Sequence, residues 1–243
     1  MWQRFDQALH NEGVSVAHNI HSNADTRRGV TALAYIEKNY TQVATRISEF
    51  LAGLQQVIPN QYFYPTDELH LTMLSVISCV DDFTLDDIHI PPYTALFQEA
   101  LLGLPEFNIT FRGVTATPDC VVIQGVVDHG KSGENEESDT LTLLRERLRN
   151  AFKSSTLRSS IDSRYTLKTA HCTAARFCSP LNTSSNTKAS ESELLLNYLK
   201  RYRNHHFGTI TVKHIDLVFN DWYQRLNTKR LAQALLVKIN YAT

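Results

Sequence analysis

The sequence predicts an α+β fold in which antiparallel sheets line a common cleft and helices pack outside them. Three observations point there. Amphipathic helices are segregated from hairpin-connected strands, and a strand carrying a histidine in an apolar run recurs about one hundred residues further on. The 243-residue chain is also 42% hydrophobic with 24 Lys+Arg against 25 Asp+Glu, the balance of a globular protein able to bury a core without staples. A net charge of -1 excludes a strongly basic, nonspecific nucleic-acid binder as the first expectation. The longest apolar run, residues 69–80, is broken by His70, Thr72 and Ser75 and falls short of the ~20 residues of a membrane span. Residues 1–12 carry Arg4, Asp6, His10 and Glu12 and lack the apolar region of a secretory signal, so a cytoplasmic location is expected. Cys79, Cys120, Cys172 and Cys178 show no Cys-x-x-Cys spacing and are expected to be reduced and structural.

Residues 1–28 form an N-terminal extension with no assigned element. Residues 29–37 read as a strand rich in β-branched and aromatic residues. Val43, Ile47, Phe50, Leu51, Leu54, Val57 and Ile58 then recur at helical spacing, with Asn39 and Gln42 as a capping box and Pro59 as the stop. A strand over 68–78, an acidic loop and a helix over 93–104 follow. Strands at 107–114 and 120–127 flank a turn containing Pro118 and predict a hairpin. Residues 128–139 are acidic, aperiodic and Gly-containing, a surface loop at the junction of two halves, about 29–128 and 129–243. The second half brings a helix striped by Leu141, Leu144, Leu148, Ala151 and Phe152, then a strand-like run over 165–177. After a polar loop at 179–188, Ser190 and Glu193 cap a helix bearing Leu195, Tyr198, Leu199 and Tyr202. Residues 209–219 alternate as a strand, and 231–241 fit strand or helix equally. Residues 29–243 therefore read as one domain of two related halves.

The chemistry lies in His70-Leu71-Thr72 and His171-Cys172-Thr173. With ten histidines in the chain, chance supplies about one His-x-Thr, so the count alone is weak and the shared context carries the reading. Both lie in apolar strand-like runs, and both hold the same place in their half. Residues i and i+2 of a strand share a face, so each histidine points with its threonine while Leu71 and Cys172 point oppositely. If the halves face each other, two imidazoles and two hydroxyls converge. Such a set suits a phosphodiester: one imidazole takes a proton from the nucleophile, the other gives one to the leaving oxygen, and the hydroxyls donate to the nonbridging oxygens. Their ordinary pKa near ~6.5 allows both protonation states near neutrality. Cys172 cannot act as a thiol paired with His171, because strand neighbours face opposite ways.

The two motifs resemble those of the 2H phosphoesterases, which include 2'-5' RNA ligase-like proteins and 2',3'-cyclic nucleotide phosphodiesterases. His70-Leu71-Thr72-Met73-Leu74 is similar to the first motif and His171-Cys172-Thr173-Ala174-Ala175-Arg176 to the second. The resemblance implies a bilobal, pseudo-twofold α+β fold with a central cleft, metal-independent chemistry without a cofactor, and His70, Thr72, His171 and Thr173 as the catalytic set. It covers residues 29–240, with the extension and the 128–139 insert as departures.

Simple alternation places Arg176 on the face opposite Thr173, so it reaches the site only if a bulge or strand end turns it. Tyr35, Phe63, Tyr64, Phe177, Trp222 and Tyr223 are candidate base-stacking aromatics, for most of which core packing is the expectation, with Tyr223 as the one to test at the cleft rim. His18, His21, His205, His206 and His214 have no partner at ligand spacing, and no metal site is expected. Dinucleotide-binding, P-loop and nucleophile-elbow motifs are absent. The reading is a phosphodiesterase acting on a nucleotide or short RNA, opening a 2',3'-cyclic phosphate or cleaving a 2'-5' or cyclic-dinucleotide linkage. His171 is the favoured base and His70 the acid, with pseudo-symmetry leaving the reverse open. 2'-5' ligation by the same groups and noncatalytic nucleotide or RNA binding are the alternatives. A monomer without membrane or metal partners is expected.

Overall fold

The apolar stripes of the sequence fold into helices that pack against two antiparallel sheets. The computed structural model describes residues 2–127, 139–163, 166–167, 169–182, 190–225 and 228–238. In chain order the elements are α1 (Trp2–Asn11), β1 (Arg28–Tyr35), α2 (Ile36–Asn39), α3 (Thr41–Val57), β2 (Tyr62–Phe63), β3 (His70–Val80) and α4 (Ile90–Leu101). They continue with β4 (Phe107–Ala116), β5 (Cys120–Val127), α5 (Thr140–Ser154), β6 (Ala170–Arg176), α6 (Glu191–Arg201), β7 (His206–Val212), β8 (His214–Asp221) and β9 (Lys229–Leu235). One sheet is ordered β3-β1-β8-β9 and the other β2-β6-β5-β4-β7. Each draws strands from both sides of residue 128, so the two halves of the sequence are interwoven in space.

Helix α3 buries Val43, Ile47, Phe50, Leu51 and Leu54, the face its spacing marks, against β6, β7 and α6. Helices α4 and α5 pack on each other and on β9 and β3 respectively. Pro91 and Pro92 occupy the first turn of α4, where a missing N–H costs nothing. Asp139 caps α5 by accepting from the Thr142 N–H at 2.8 Å. Ser190 and Glu193 form the expected capping box on α6. The one expected on α3 does not form: Tyr40 is its N-cap without a side-chain bond. The Asn39 amide instead donates to the Tyr35 carbonyl at 2.6 Å and accepts from the Lys213 N–H at 3.2 Å. That choice ties the end of β1 to the corner between β7 and β8.

The corner is the main departure from the alternation pattern. Residues 209–219 are not one strand: β7 pairs with β4 in one sheet, β8 pairs with β1 in the other, and the chain changes sheets at Lys213. Each segment alternates within itself, Ile210 and Val212 before the corner and Ile215, Leu217 and Phe219 after it, and the adjacent polar pair Lys213-His214 marks where the phase shifts by one. The ambiguous tail resolves into strand β9. The N-terminal extension is part of the core, since Phe5, Leu9 and Ile20 are buried and Phe5 stacks on Phe177 at 6.2 Å. Among the described residues no cysteine forms a disulfide. No described helix is long and apolar enough to cross a membrane. The 128–139 loop except Asp139, most of the 179–188 loop and residues 239–241 of the tail lie outside the described residues.

Candidate active site

Strand β3 opens with the first motif, and β6 carries the second from its second residue. These strands belong to different sheets but lie against each other. His70, Thr72, His171, Thr173, Arg176 and Tyr223 line one cavity of about 240 Å³ together with Tyr64 and Trp222, whereas Tyr35, Phe63 and Phe177 do not line it. Leu71 and Cys172 turn into the hydrophobic core, as strand alternation requires.

His70 is held from behind. Its Nδ1 lies 2.7 Å from the Glu68 carbonyl oxygen, which can only accept, so Nδ1 carries the proton and neutral His70 keeps its lone pair on Nε2. Tyr35 and Tyr64 stand edge-on to the ring at 6.4 Å each. Burial, aided by the charges of Arg176 and His171 and opposed by the Glu68 carbonyl, pushes its pKa down to about 4. His171 is less covered, with Nδ1 3.3 Å from the Thr169 hydroxyl. Its pKa is also lowered, by burial and then by the positive charges of Arg145 and Arg176. Cys172, wholly buried, has its thiol pushed up to about 12 by desolvation, which suits a structural rather than a nucleophilic cysteine.

A bulge decides the position of Arg176. Strand β6 pairs Thr173 with Val122 and Ala175 with Val121, leaving Ala174 as an extra residue. The extra residue resets the alternation, and Arg176 joins His171 and Thr173 at the cavity. Strand β3 does the same: Thr72 pairs with Leu33 and Leu74 with Ala32, leaving Met73 over. Ser75, five residues after His70, therefore holds the place that Arg176 holds after His171, and it too lines the cavity. The sequence carried a signal for both bulges. Met73-Leu74 and Ala174-Ala175 are adjacent apolar pairs that interrupt polar-apolar alternation.

Arg176 is braced by aromatic groups. Its Nε donates to the Tyr64 hydroxyl at 3.0 Å, and that hydroxyl donates to the Tyr223 carbonyl at 2.7 Å. Among the described residues no carboxylate lies within ion-pair distance of its guanidinium. Tyr223 is only 4% exposed, and its ring is flanked by the guanidiniums of Arg27, Arg176 and Arg225 at 5.5, 5.5 and 5.6 Å. It lines the cavity as a support for arginines, not as a free rim platform. Arg27 comes from the extension, pairs with Asp25 at 2.6 Å and lies over the Trp222 ring at 4.8 Å. Phe177 is in the core, Phe63 packs against it, and the Tyr35 hydroxyl meets Thr228 at 3.1 Å.

Sequence reasoning missed Arg27, Arg145 and Arg225, whose neighbours in the chain look like ordinary solvated charges. It also missed the far wall of the cavity, formed by Ser78, Ser160, Asp162 and Ser163. Asp162 there is paired with Arg149 at 3.0 Å and Lys153 at 3.1 Å. Among the described residues no group of three or more His, Cys, Asp or Glu side chains could hold a metal ion.

The model of the AKAP7 2'5' RNA ligase-like domain family matches residues 31–226. No curated protein sequence matches the chain. Among solved structures, TT0787 of Thermus thermophilus superposes with a TM-score of 0.54 at 16% identity, over 86% of this chain and 97% of that one. A structure described as a phosphoesterase gives 0.52 at 13% identity, over 87% and 99%. LigT of E. coli complexed with 3'-AMP gives 0.50 at 13% identity, over 87% and 99%. At such identities these likenesses show a common fold.

Proposed function

Because the chain belongs to the AKAP7 2'5' RNA ligase-like domain family, within the 2H phosphoesterases, we propose that it hydrolyses a phosphodiester of a nucleotide or short RNA. The bond is a 2',3'-cyclic phosphate, or a 2'-5' or cyclic-dinucleotide linkage. The observation that carries this reading is the convergence on one cavity, from two sheets, of His70, Thr72, His171, Thr173 and Arg176, which has no carboxylate within ion-pair distance among the described residues. LigT, which shares the fold, has been crystallised with 3'-AMP, and that supports a nucleoside phosphate as the ligand class.

In the proposed reaction the phosphate sits between the two strands. The Thr72 and Thr173 hydroxyls donate to its nonbridging oxygens, and the Arg176 guanidinium offsets the charge that builds on them. His70, neutral with its lone pair on Nε2, takes the proton of the attacking water. His171, the more open of the two imidazoles, carries the proton given to the leaving ribose oxygen. This reverses the assignment favoured by sequence, because the Glu68 carbonyl fixes the resting tautomer of His70 and no pattern in the sequence announces that bond.

The test is hydrolysis of 2',3'-cyclic nucleotides, 2'-5' oligonucleotides and cyclic dinucleotides in EDTA by the wild type, His70→Ala and His171→Ala. Turnover that survives EDTA and is lost in both variants supports the reading. Absence of turnover across the panel, with nucleotide binding retained, overturns it in favour of a binding protein.

A further inference from the structure

Arg145 is a cation in an unusual place. It lies on α5, its residue is 2% exposed, and no carboxylate stands within ion-pair distance among the described residues. Its Nε donates to the Met73 carbonyl at 2.9 Å, and its Nη2 donates to the carbonyls of Thr72 at 3.1 Å and Thr169 at 3.0 Å. Thr72 and Met73 belong to the first motif and its bulge, where the slip in register disturbs the ladder that would otherwise engage carbonyls. Thr169 lies two residues before His171, and its hydroxyl meets the His171 ring. One guanidinium therefore joins the strand that bears Thr72 to the residue that touches His171.

Burying such a charge without a counter-ion is expensive, and apolar residues of similar volume usually serve a core equally well. Burial drives the Arg145 pKa down to about 10, which leaves it cationic at neutral pH. Three carbonyl dipoles solvate the charge, and Arg149 and Asp139 act on it from a distance with opposite signs.

We propose that Arg145 is a positioning residue for the reaction inferred above: it ties the first motif strand to the residue that touches His171, and its charge, held without an ion pair among the described residues, sets the field felt by His171 and the substrate phosphate. The proposal rests on the phosphoesterase reading for the phosphate but not for the effect on His171. The charged and titratable groups around that imidazole are Arg145 from α5, Arg176 on its own strand and His70 from β3, with Asp162, neutralised by Arg149 and Lys153, on the far cavity wall.

Arg145→Gln and Arg145→Lys in the full chain separate the tie from the charge. The readouts are the His171 imidazole titration by NMR, the affinity for inorganic phosphate, kcat, KM and thermal melting. Arg145→Gln raises the pH at which His171 titrates and weakens phosphate binding about tenfold, as expected for the loss of one nearby positive charge. Arg145→Lys keeps the charge and the His171 titration, but it cannot reach three carbonyls at once, so kcat falls about tenfold or more with little change in KM. A folded Arg145→Gln with wild-type His171 titration and phosphate affinity overturns the field, and a folded Arg145→Lys with wild-type kcat overturns the tie. If Arg145→Gln does not fold, a downward kcat change in Arg145→Lys decides the proposal and an unchanged kcat rejects it. The titration and phosphate binding need no turnover, so a wild type inactive on the nucleotide panel defeats the phosphoesterase reading while leaving the effect on His171 measurable.

Discussion

The two motif strands start from the same pattern and end in different environments. On β3, His70 is buried, fixed through Nδ1 to a backbone carbonyl and followed by Ser75; on β6, His171 is more open, meets the Thr169 hydroxyl and is followed by Arg176. Both strands bulge one residue after the threonine, so the geometry is shared while the charge is not. A pseudo-symmetric scaffold can thus give two like imidazoles unlike proton affinities, and an acid/base pair needs that difference.

Replacing either histidine by alanine is the harshest way to break the comparison. Each change is expected to lower kcat by about 10² to 10⁴, read on whichever cyclic or 2'-5' substrate the wild type turns over. Equal losses are compatible with unlike resting states, because each proton transfer is needed once per turnover.

The difference itself is sharpened by pH. The pKa of His70 is depressed in the folded state, so its contribution to stability is intact above the unfolded value near ~6.5 and is lost as pH falls towards about 4. That loss amounts to roughly 3 kcal/mol at full extent. Thermal melting between pH 7 and 4.5 should therefore fall less steeply in His70→Gln than in the wild type, while His171→Gln should keep most of the wild-type slope. For catalysis, neutral His70 and protonated His171 coexist at a pH below the ordinary histidine value, so kcat/KM should peak on the acid side of ~6.5. A peak well into the alkaline range would contradict the depressed pKa values of both histidines.

Arg176, present after only one of the two motifs, comes next. Arg176→Met should cost about 2 to 3 kcal/mol of transition-state binding, roughly 30- to 160-fold in kcat/KM, if the guanidinium meets the phosphate. Tyr64→Phe removes the hydroxyl that braces it and should give a smaller loss of the same kind. The mildest changes, Thr72→Val and Thr173→Val, are expected to lose about tenfold each in kcat/KM, one hydrogen bond to a charged oxygen apiece.

Much of this was legible in the sequence, for physical reasons. Helical stripes such as that of α3 and the Ser190-Glu193 cap are local, and two histidines with threonines at i+2 announce a shared strand face wherever the strands end up. What the pattern hides is non-local. Lys213 turns the chain from one sheet into the other, and only the adjacent polar pair Lys213-His214, where the alternation shifts phase by one, marks it in the sequence. Arg176 seemed to face away until the extra residue at Ala174 was counted. Arg145, in the sequence Arg-Glu-Arg-Leu-Arg, resembles Arg147 and Arg149, and only the fold shows that it donates to carbonyls of the first motif strand and of Thr169, the residue just before the second. The tautomer of His70 depends likewise on the Glu68 carbonyl, which a one-dimensional reading does not orient.

That His70 and His171 work as a single acid/base unit is tested most directly by comparing His70→Ala, His171→Ala and the double variant on one hydrolysed substrate in EDTA. The account predicts that the double variant is no slower than the worse single variant, because removing either imidazole already disables the shared step. Losses that multiply in the double variant, or a single variant that keeps wild-type turnover, would contradict it.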